Sequence, residues 1–435
     1  MAEILPFRAW RYNHELSHSI SELASPLFDV INEKQSEALY QIPLNSIHLS
    51  VPKSQETPEN AKTTIEQWKK EGIIRQDPLP AIYVYYQQFT LPGNAEPLVR
   101  KGFICMIKAE DWGKSDSPIL RHENTIPHSV EGRVAVLEAT EMNVSPTHGL
   151  YQDDEFELEG YMDEAMKSPV YELEDYQGVT DRLAIIHDLA VIKKFVRKVK
   201  DQQIILADGH HRLESSIQYR NLRKEANPTH EGREGYNYHL MYLTNGASKD
   251  LRILPTHRLI QGIRDFDKDT LLEKLSEFFH IIALDDPYDI EDIILGKQWA
   301  FGLLFGEEVY KIRLKPEVHD QLDWNFPELL KVLDLTVMHY FIIEKCLGIE
   351  GKDQRRSPYI SFERNFPLCV KKTLKGEAQC ALITKEIDIK TVQAVCQSGY
   401  TLPQKSTFFY PKVISGFLFG SIKEDEFSLP FDLGL

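Results

Sequence analysis

The chain lacks several features that would assign it to a class at once. No run of about 18 apolar residues occurs, which excludes a hydrophobic helix spanning a membrane. The opening MAEILPFRAWRYNHEL has no basic segment leading into an apolar core, so no signal peptide is expected. Cysteine is sparse: Cys105, Cys346, Cys369, Cys380 and Cys396, five in all, with no C-x-x-C spacing. That argues against a zinc site and a disulfide framework, and it suits a cytoplasmic protein in a reducing compartment. Positive charge is also short. Fifty Lys and Arg face 66 Asp and Glu, a net charge of −16, which repels a phosphate backbone and argues against nucleic acid as a partner. Repeats and low-complexity tracts are absent as well, so the 435 residues are read as globular domains.

What is present concentrates between residues 201 and 220. An apolar run, Gln203 to Leu206, stops at Ala207-Asp208-Gly209. His210-His211-Arg212 follow, and then a helical pattern with Leu213 and Ile217 four residues apart. A strand, a glycine turn and a helix opening on His-His-Arg suit an anion. The first helical turn directs backbone N–H groups outward and carries about half a positive charge. Gly209 allows close backbone approach, and Arg212 adds a planar fork of donors. The competing structural reading makes Asp208 a helix cap, worth about 1 kcal/mol, with His210 and His211 as ordinary core or surface residues.

Four other segments gather chemically useful side chains. His122-Glu123-Asn124-Thr125, with Arg133 downstream, is not a zinc-protease H-E-x-x-H, because position 126 is Ile126. Leu254 to Leu259 carries His257-Arg258 between apolar flanks and could equally line a cleft or form a polar loop. Gly399 followed by Lys405-Ser406 has Walker A spacing, but Gln404 replaces the second glycine, Pro403 removes a donor and a helix precedes it. It is rejected as a P-loop, and Lys405 and Lys412 remain as point charges for phosphate. Near the start, Arg8, Arg11 and Asp29 are candidates for a binding face, against the alternative of a strand docked by Trp10 and Tyr12.

Periodicity predicts strands at 81–86, 102–107, 203–206, 238–243, 299–305 and 308–314. It predicts helices at 133–140, 188–200, 267–279 and 389–397, and a long amphipathic helix over most of 326–347. The basic run Lys193 to Lys200 reads as the solvated face of its helix, and the carboxylate-rich stretch Asp153 to Asp175 as exposed. Strands and helices interleave without strict alternation, so the fold class is α+β, or mixed α/β.

Taken in order, these segments resemble a bacterial and archaeal family, domain-of-unknown-function family 1015. The resemblance rests on PFRAWRY and DVI near the start, RHENT with Arg133, NVSPTHGLY at 143–151 and ADGHHR at 207–212. It continues through LPTHR at 254–258, LDLTVMH at 333–339 and KSTFFYPK at 405–412. The D-G-H-H-R turn also resembles, locally, the nucleotide-handling loop of the ParB/sulfiredoxin superfamily and its free-serine kinases. That likeness implies a ParB/sulfiredoxin-like core over 1–264, with a large insertion at about 55–180, and a C-terminal α+β region over 265–435 that completes the site. It implies that Gly209, His210, His211 and Arg212 contact phosphate, while Asp208 holds the turn or a magnesium ion. The expected cofactors are ATP or ADP with Mg2+, and the expected partners are that nucleotide and a small-molecule substrate, with a homodimer left open. Asp29 is the nearest counterpart of the kinases' upstream catalytic glutamate. Sulfiredoxin's cysteine is replaced by histidine, which disfavours sulfinic-acid repair. The resulting expectation is phosphoryl transfer on a small hydroxyl metabolite, serine or phosphoserine first, with Asp208, His211 and Asp29 catalytic. Gly209, His210, Arg212, Lys405 and Lys412 are expected on phosphate, and His122, Glu123, Arg133, His257 and Arg258 on substrate. The alternative is a regulator that binds a nucleotide or phosphometabolite without turnover.

Overall fold

The computed structural model describes residues 1–27, 30–50, 57–91, 96–355, 357–403 and 405–427. Asp29 lies outside the described residues. The chain forms two compact units, one of Met1–Leu251 with Pro411–Leu435 and one of Arg252–Tyr410. This differs from a division at 264 in two places: the second unit begins earlier, and the chain's last segment returns to the first. Bridges from Trp10 to Phe419 and from Ser25 to Ser415 tie that returning segment to the N-terminal residues.

The first unit is built on a nine-stranded sheet. Its main path runs Ile119–Leu120, Ile204–Asp208, Thr147–Tyr151, Tyr238–Asn245, Leu98–Lys108, Ile82–Phe89, Thr180–Ile186 and Tyr171–Glu174, and Ile4–Leu5 pairs with Leu98–Lys108. The strands Ile82–Phe89, Leu98–Lys108 and Thr147–Tyr151, which fall within the expected insertion, lie on the central path of the sheet. Side chains alternate between faces along each strand, and here both faces are apolar. Tyr83, Tyr85, Ile104, Met106, Leu240 and Tyr242 join one core, and Ile82, Val84, Phe103, Cys105, Met241 and Leu243 join the other.

Helix Leu189–Lys200 buries Ile192, Phe195, Val196 and Val199, and Asp188 caps it by accepting from the amides of Ala190 and Val191. Its polar face is less solvated than its charge pattern suggests. Lys198 reaches Asp153 at 2.7 Å, and the Asp153 side chain is fully buried. The expected exposure of the acidic stretch fails at that residue, because a buried carboxylate with a cationic partner is tolerated where a lone one is not.

The second unit carries a six-stranded antiparallel sheet ordered Phe279–Leu284, Glu308–Leu314, Ala300–Phe305, Cys380–Ile383, His257–Ile260 and Ile360–Glu363. The predicted long helix over 326–347 is broken. Glu328–Lys331 and Asp334–Val337 are separate turns, and the chain then widens into π geometry over Met338–Cys346. Trp299 accounts for the break: its indole takes the carbonyl of Val332, and its backbone amide takes the Asp334 side chain. Residues Met338 to Ile343 are buried all round, so the segment is a core helix and not an amphipathic one. The described residues form a mixed α+β fold with 38% helix and 25% strand. No described helix is long and apolar enough to cross a membrane. All five cysteines are buried and none is in a disulfide.

Candidate functional site

The strand Ile204–Asp208 pairs antiparallel with Thr147–Tyr151, and the register slips between Leu206 and Asp208, setting Asp208 opposite His148. A bulge of this kind re-aims a side chain at a strand end. Gly209 follows in the left-handed region (φ +90°, ψ 30°) and the seventeen-residue helix His210–Ala226 begins at once. A side chain at Gly209 would place its Cβ 2.6 Å from Thr147 Cγ2 and 2.9 Å from Arg212 Nη2, so glycine is required twice, by conformation and by space. The Leu213 amide closes onto the Gly209 carbonyl at 3.0 Å. The amides of His210, His211 and Arg212 precede that bond and belong to the turn a helix does not satisfy internally.

Asp208 is not the helix cap that the structural reading supposed. One oxygen, Oδ2, accepts from Arg212 at 2.9 Å, and the other, Oδ1, accepts from Lys412. Burial alone would raise its carboxyl, but Lys412 and Arg212 together hold it well below the usual carboxylate range. Arg212 is further fixed by Ser145 Oγ at 3.1 Å and by the Pro146 carbonyl at 2.6 Å. Two cations thus share one half-buried carboxylate and leave a net positive charge at the start of a long helix.

The histidines take different places. His211 accepts the Ile126 amide on Nε2 at 2.9 Å, so in the neutral ring Nδ1 carries the proton, and the residue that follows RHENT is tied to the turn. His122 and His210 meet edge to face with centroids 4.6 Å apart. Burial pushes His122 down to about 4 and His210 well below the ordinary histidine value, and Lys412 contributes in both. Nε2 of His210 is buried without a hydrogen-bond partner among the described residues. His148 contacts Thr244 at 2.7 Å, and His239 bridges Ser216 and Thr147 at 2.7 and 3.1 Å.

Beside Arg212 lies a small, open pocket with a cavity volume of about 40 Å³. Arg133, Asn143, Ser145 and His239 contribute its polar groups, and Val136, Leu137, Met142 and Val144 an apolar wall. Arg133 also donates to the Ser50 carbonyl at 2.8 Å. The pocket thus brings Arg133 together with Arg212, as candidate substrate and phosphate residues. Glu123 is half-buried in the loop before helix Pro127–Thr140.

Other candidates fall elsewhere. His257, Arg258 and Lys405 belong to the second unit. There His257 accepts the Thr384 amide at 3.2 Å, and Arg258 donates to the carbonyls of Thr256 and Lys405. Burial lowers His257 to about 4 and Arg258 to about 9. Near the N-terminus Arg11 forms a two-pronged pair with Asp77 at 2.7 and 2.8 Å, and Arg8 donates to the carbonyls of Asp425 and Glu426. Both arginines hold structure together, as does buried Tyr12. Sequence reasoning passed over Asn143, Ser145 and Thr147 as site residues, although NVSPTHGLY had drawn attention as a motif. Its polar residues at close spacing, Asn143 ending one short strand and Thr147 opening the next with Ser145 between, were the available signal.

Magnesium sites use one or two carboxylates with substrate phosphates and water. Asp208 is the carboxylate in place here, and a metal would have to take an oxygen from Lys412 or Arg212. Among the described residues no group of three or more His, Cys, Asp or Glu is placed to hold a metal ion.

No curated protein matches the sequence. Among solved structures the chain is similar to a free serine kinase in complex with AMP, at 14% identity and a TM-score of 0.36, over 75% of this chain and 93% of that one. It is also similar to a conserved hypothetical protein from Pyrococcus furiosus, at 13% identity and a TM-score of 0.36, over 74% and 97%. A third is SbnI with C-terminal truncation from Staphylococcus aureus, at 12% identity and a TM-score of 0.34, over 74% and 90%. The family model described as "Protein of unknown function (DUF1015)" matches residues 4–336, the span that carries the turn, its helix and the RHENT and NVSPTHGLY segments, and the chain belongs to that family.

Proposed function

We propose that the Asp208–Arg212 turn binds the phosphates of a nucleotide and that the protein transfers a phosphoryl group between that nucleotide and a small hydroxyl metabolite, with serine or phosphoserine as the first candidate. The observation that carries this is the cationic pair on Asp208. Lys412 and Arg212 sit at the start of a seventeen-residue helix, beside a buried His210 nitrogen that has no hydrogen-bond partner among the described residues. Phosphoryl transfer needs mainly positioning and charge neutralisation. Lys412 and Arg212 supply the charge, the first-turn amides supply donors, and Asp208 holds both cations in place. ATP or ADP would lie along this turn, and Mg2+, when bound, would neutralise phosphate charge. Serine as the acceptor follows from the local resemblance of D-G-H-H-R to free-serine kinases, and Arg133 in the adjoining pocket suits its carboxylate.

The test is to supply the purified chain with Mg2+, serine and either ATP or ADP and to look for phosphoserine, assaying phosphoserine hydrolysis and the reverse transfer as well. Phosphoserine that disappears with Arg212→Ala supports the reading. Absence of every product, with nucleotide affinity unchanged in Arg212→Ala, overturns it. A second reading, a regulator that binds nucleotide without turnover, is favoured by one feature: both oxygens of Asp208 are already engaged. It predicts thermal stabilisation by nucleotide through mass action and no product.

A further inference from the structure

Three buried polar side chains of the first unit stand in one row across adjacent strands. Gln87 is paired in register with Arg100 on one side and with Asp181 on the other, so the three share a face. None is more than 1% exposed. Gln87 Oε1 accepts from Arg100, and Gln87 Nε2 donates to Asp181 at 2.8 Å and to the main-chain carbonyl of Lys412 at 2.9 Å. Arg100 also donates to the Pro411 carbonyl. Tyr85 donates to Asp181 and accepts the Ile414 amide at 3.4 Å. The row grips positions 411 and 412, and Tyr85 position 414, of one short segment, the segment whose lysine reaches Asp208.

Burying an arginine and an aspartate is weak evidence for stability, because desolvation offsets the attraction and apolar residues of similar volume often do as well. An apolar row could not hold two main-chain carbonyls. We infer that Gln87, Arg100 and Asp181 are positioning residues that clamp Pro411 and Lys412 and so fix where the Lys412 ammonium meets Asp208 and a bound anion. The functional half of this rests on the phosphate reading of the turn; the clamp itself does not.

The row also carries a titration. Burial raises Asp181 to about 7, while Tyr85, Gln87 and Arg100 pull it down and Asp175 adds to the rise. A clamp built on Asp181 adds to anion binding a pH dependence centred near neutrality, and Asp181→Asn removes that contribution while keeping an oxygen acceptor for Tyr85 and Gln87.

The experiment uses the full chain and two readouts. The first is amine labelling of Lys412 followed by mass spectrometry, with exposed Lys200 as reference. The second is ADP affinity by calorimetry from pH 5.5 to 8.5. Gln87→Leu is expected to raise Lys412 labelling severalfold relative to Lys200 and to weaken ADP about tenfold, the scale of one hydrogen bond. Unchanged Lys412 labelling in folded Gln87→Leu overturns the inference whether or not ADP binds. If the wild-type chain binds no ADP, the phosphate reading fails and the labelling still decides the clamp. If Gln87→Leu does not fold, Asp181→Asn decides it: a difference between the wild-type and variant affinity profiles that turns near pH 7, with the titration of ADP's own phosphate common to both, supports the clamp, and identical profiles overturn it.

Discussion

Replacing Lys412 by methionine keeps the length and apolar stem of the side chain and removes one of the two cations on Asp208. Breaking a buried pair outright costs about 3–5 kcal/mol, because a charge is left uncompensated. Arg212 stays on Oδ2 at 2.9 Å, so the loss is closer to one charged hydrogen bond, about 1.5–3 kcal/mol. The side chains of Lys412 and Asp208 are only 12% and 14% exposed, so solvent screening removes little of this. The sign of the pH dependence follows from Asp208. In the wild-type chain its carboxyl lies below its ordinary value, so its contribution is full above about pH 4 and is lost as the pH falls further. Without Lys412, burial dominates and the carboxyl moves upward, so protonation relieves the variant first. The gap between wild type and Lys412→Met should be widest near pH 7 and narrow as the pH falls through 4. Because the chain forms two units, urea unfolding is best followed by hydrogen exchange in peptides spanning Ile204–Asp208, which report the first unit. Asp208→Asn in the Lys412→Met background should cost less than Asp208→Asn alone, giving a coupling of about 2 kcal/mol within the range for contacting residues. Equal urea midpoints at pH 7, or strictly additive single and double variants, would refute the ion-pair argument.

Three further outcomes follow from the same geometry. Gly209→Ala should destabilise the first unit by at least about 2 kcal/mol, from its left-handed backbone and the clash with Thr147; Thr147→Gly should recover part of that in the urea midpoint. His122, His148, His210 and His239 are buried with lowered values, so each contributes stability above the unfolded histidine value that is lost as the pH falls through the folded one, about 4 for His122 and about 3 for His239. Urea midpoints should therefore drop between pH 6.5 and 4, and His239→Gln should flatten the slope. Asp181 acts in the opposite sense, since its raised value makes its contribution disappear as the pH rises through about 7, and Asp181→Asn should gain on the wild-type chain at pH 8 in the same measurement.

Local order was legible in residues close in sequence. The strand ending at Asp208, the glycine and the helix from His210 follow from an apolar run, one backbone need and a four-residue spacing, all within about twenty positions. The same holds for Asp188 capping its helix and for the hairpin joining Ala300–Phe305 to Glu308–Leu314. The helix expected over 326–347 failed because a partner 33 positions away, the Trp299 indole, claims the Val332 carbonyl, and no local pattern carries that.

The amino-acid order by itself determined that position 208 ends a strand with a carboxylate, that glycine must follow, and that Arg212 lies one helical turn on, within reach of it. Which second cation completes the group was settled only when the chain folded back, since Lys412 meets Asp208 across 204 positions. Backbone periodicity is a nearest-neighbour property, whereas the pairing of buried charges depends on which distant segments the apolar cores bring to one sheet face. The row of Gln87, Arg100 and Asp181 shows the same division: each residue sits unremarkably in its own strand, and their shared grip on Pro411 and Lys412 exists only in the register of the assembled sheet.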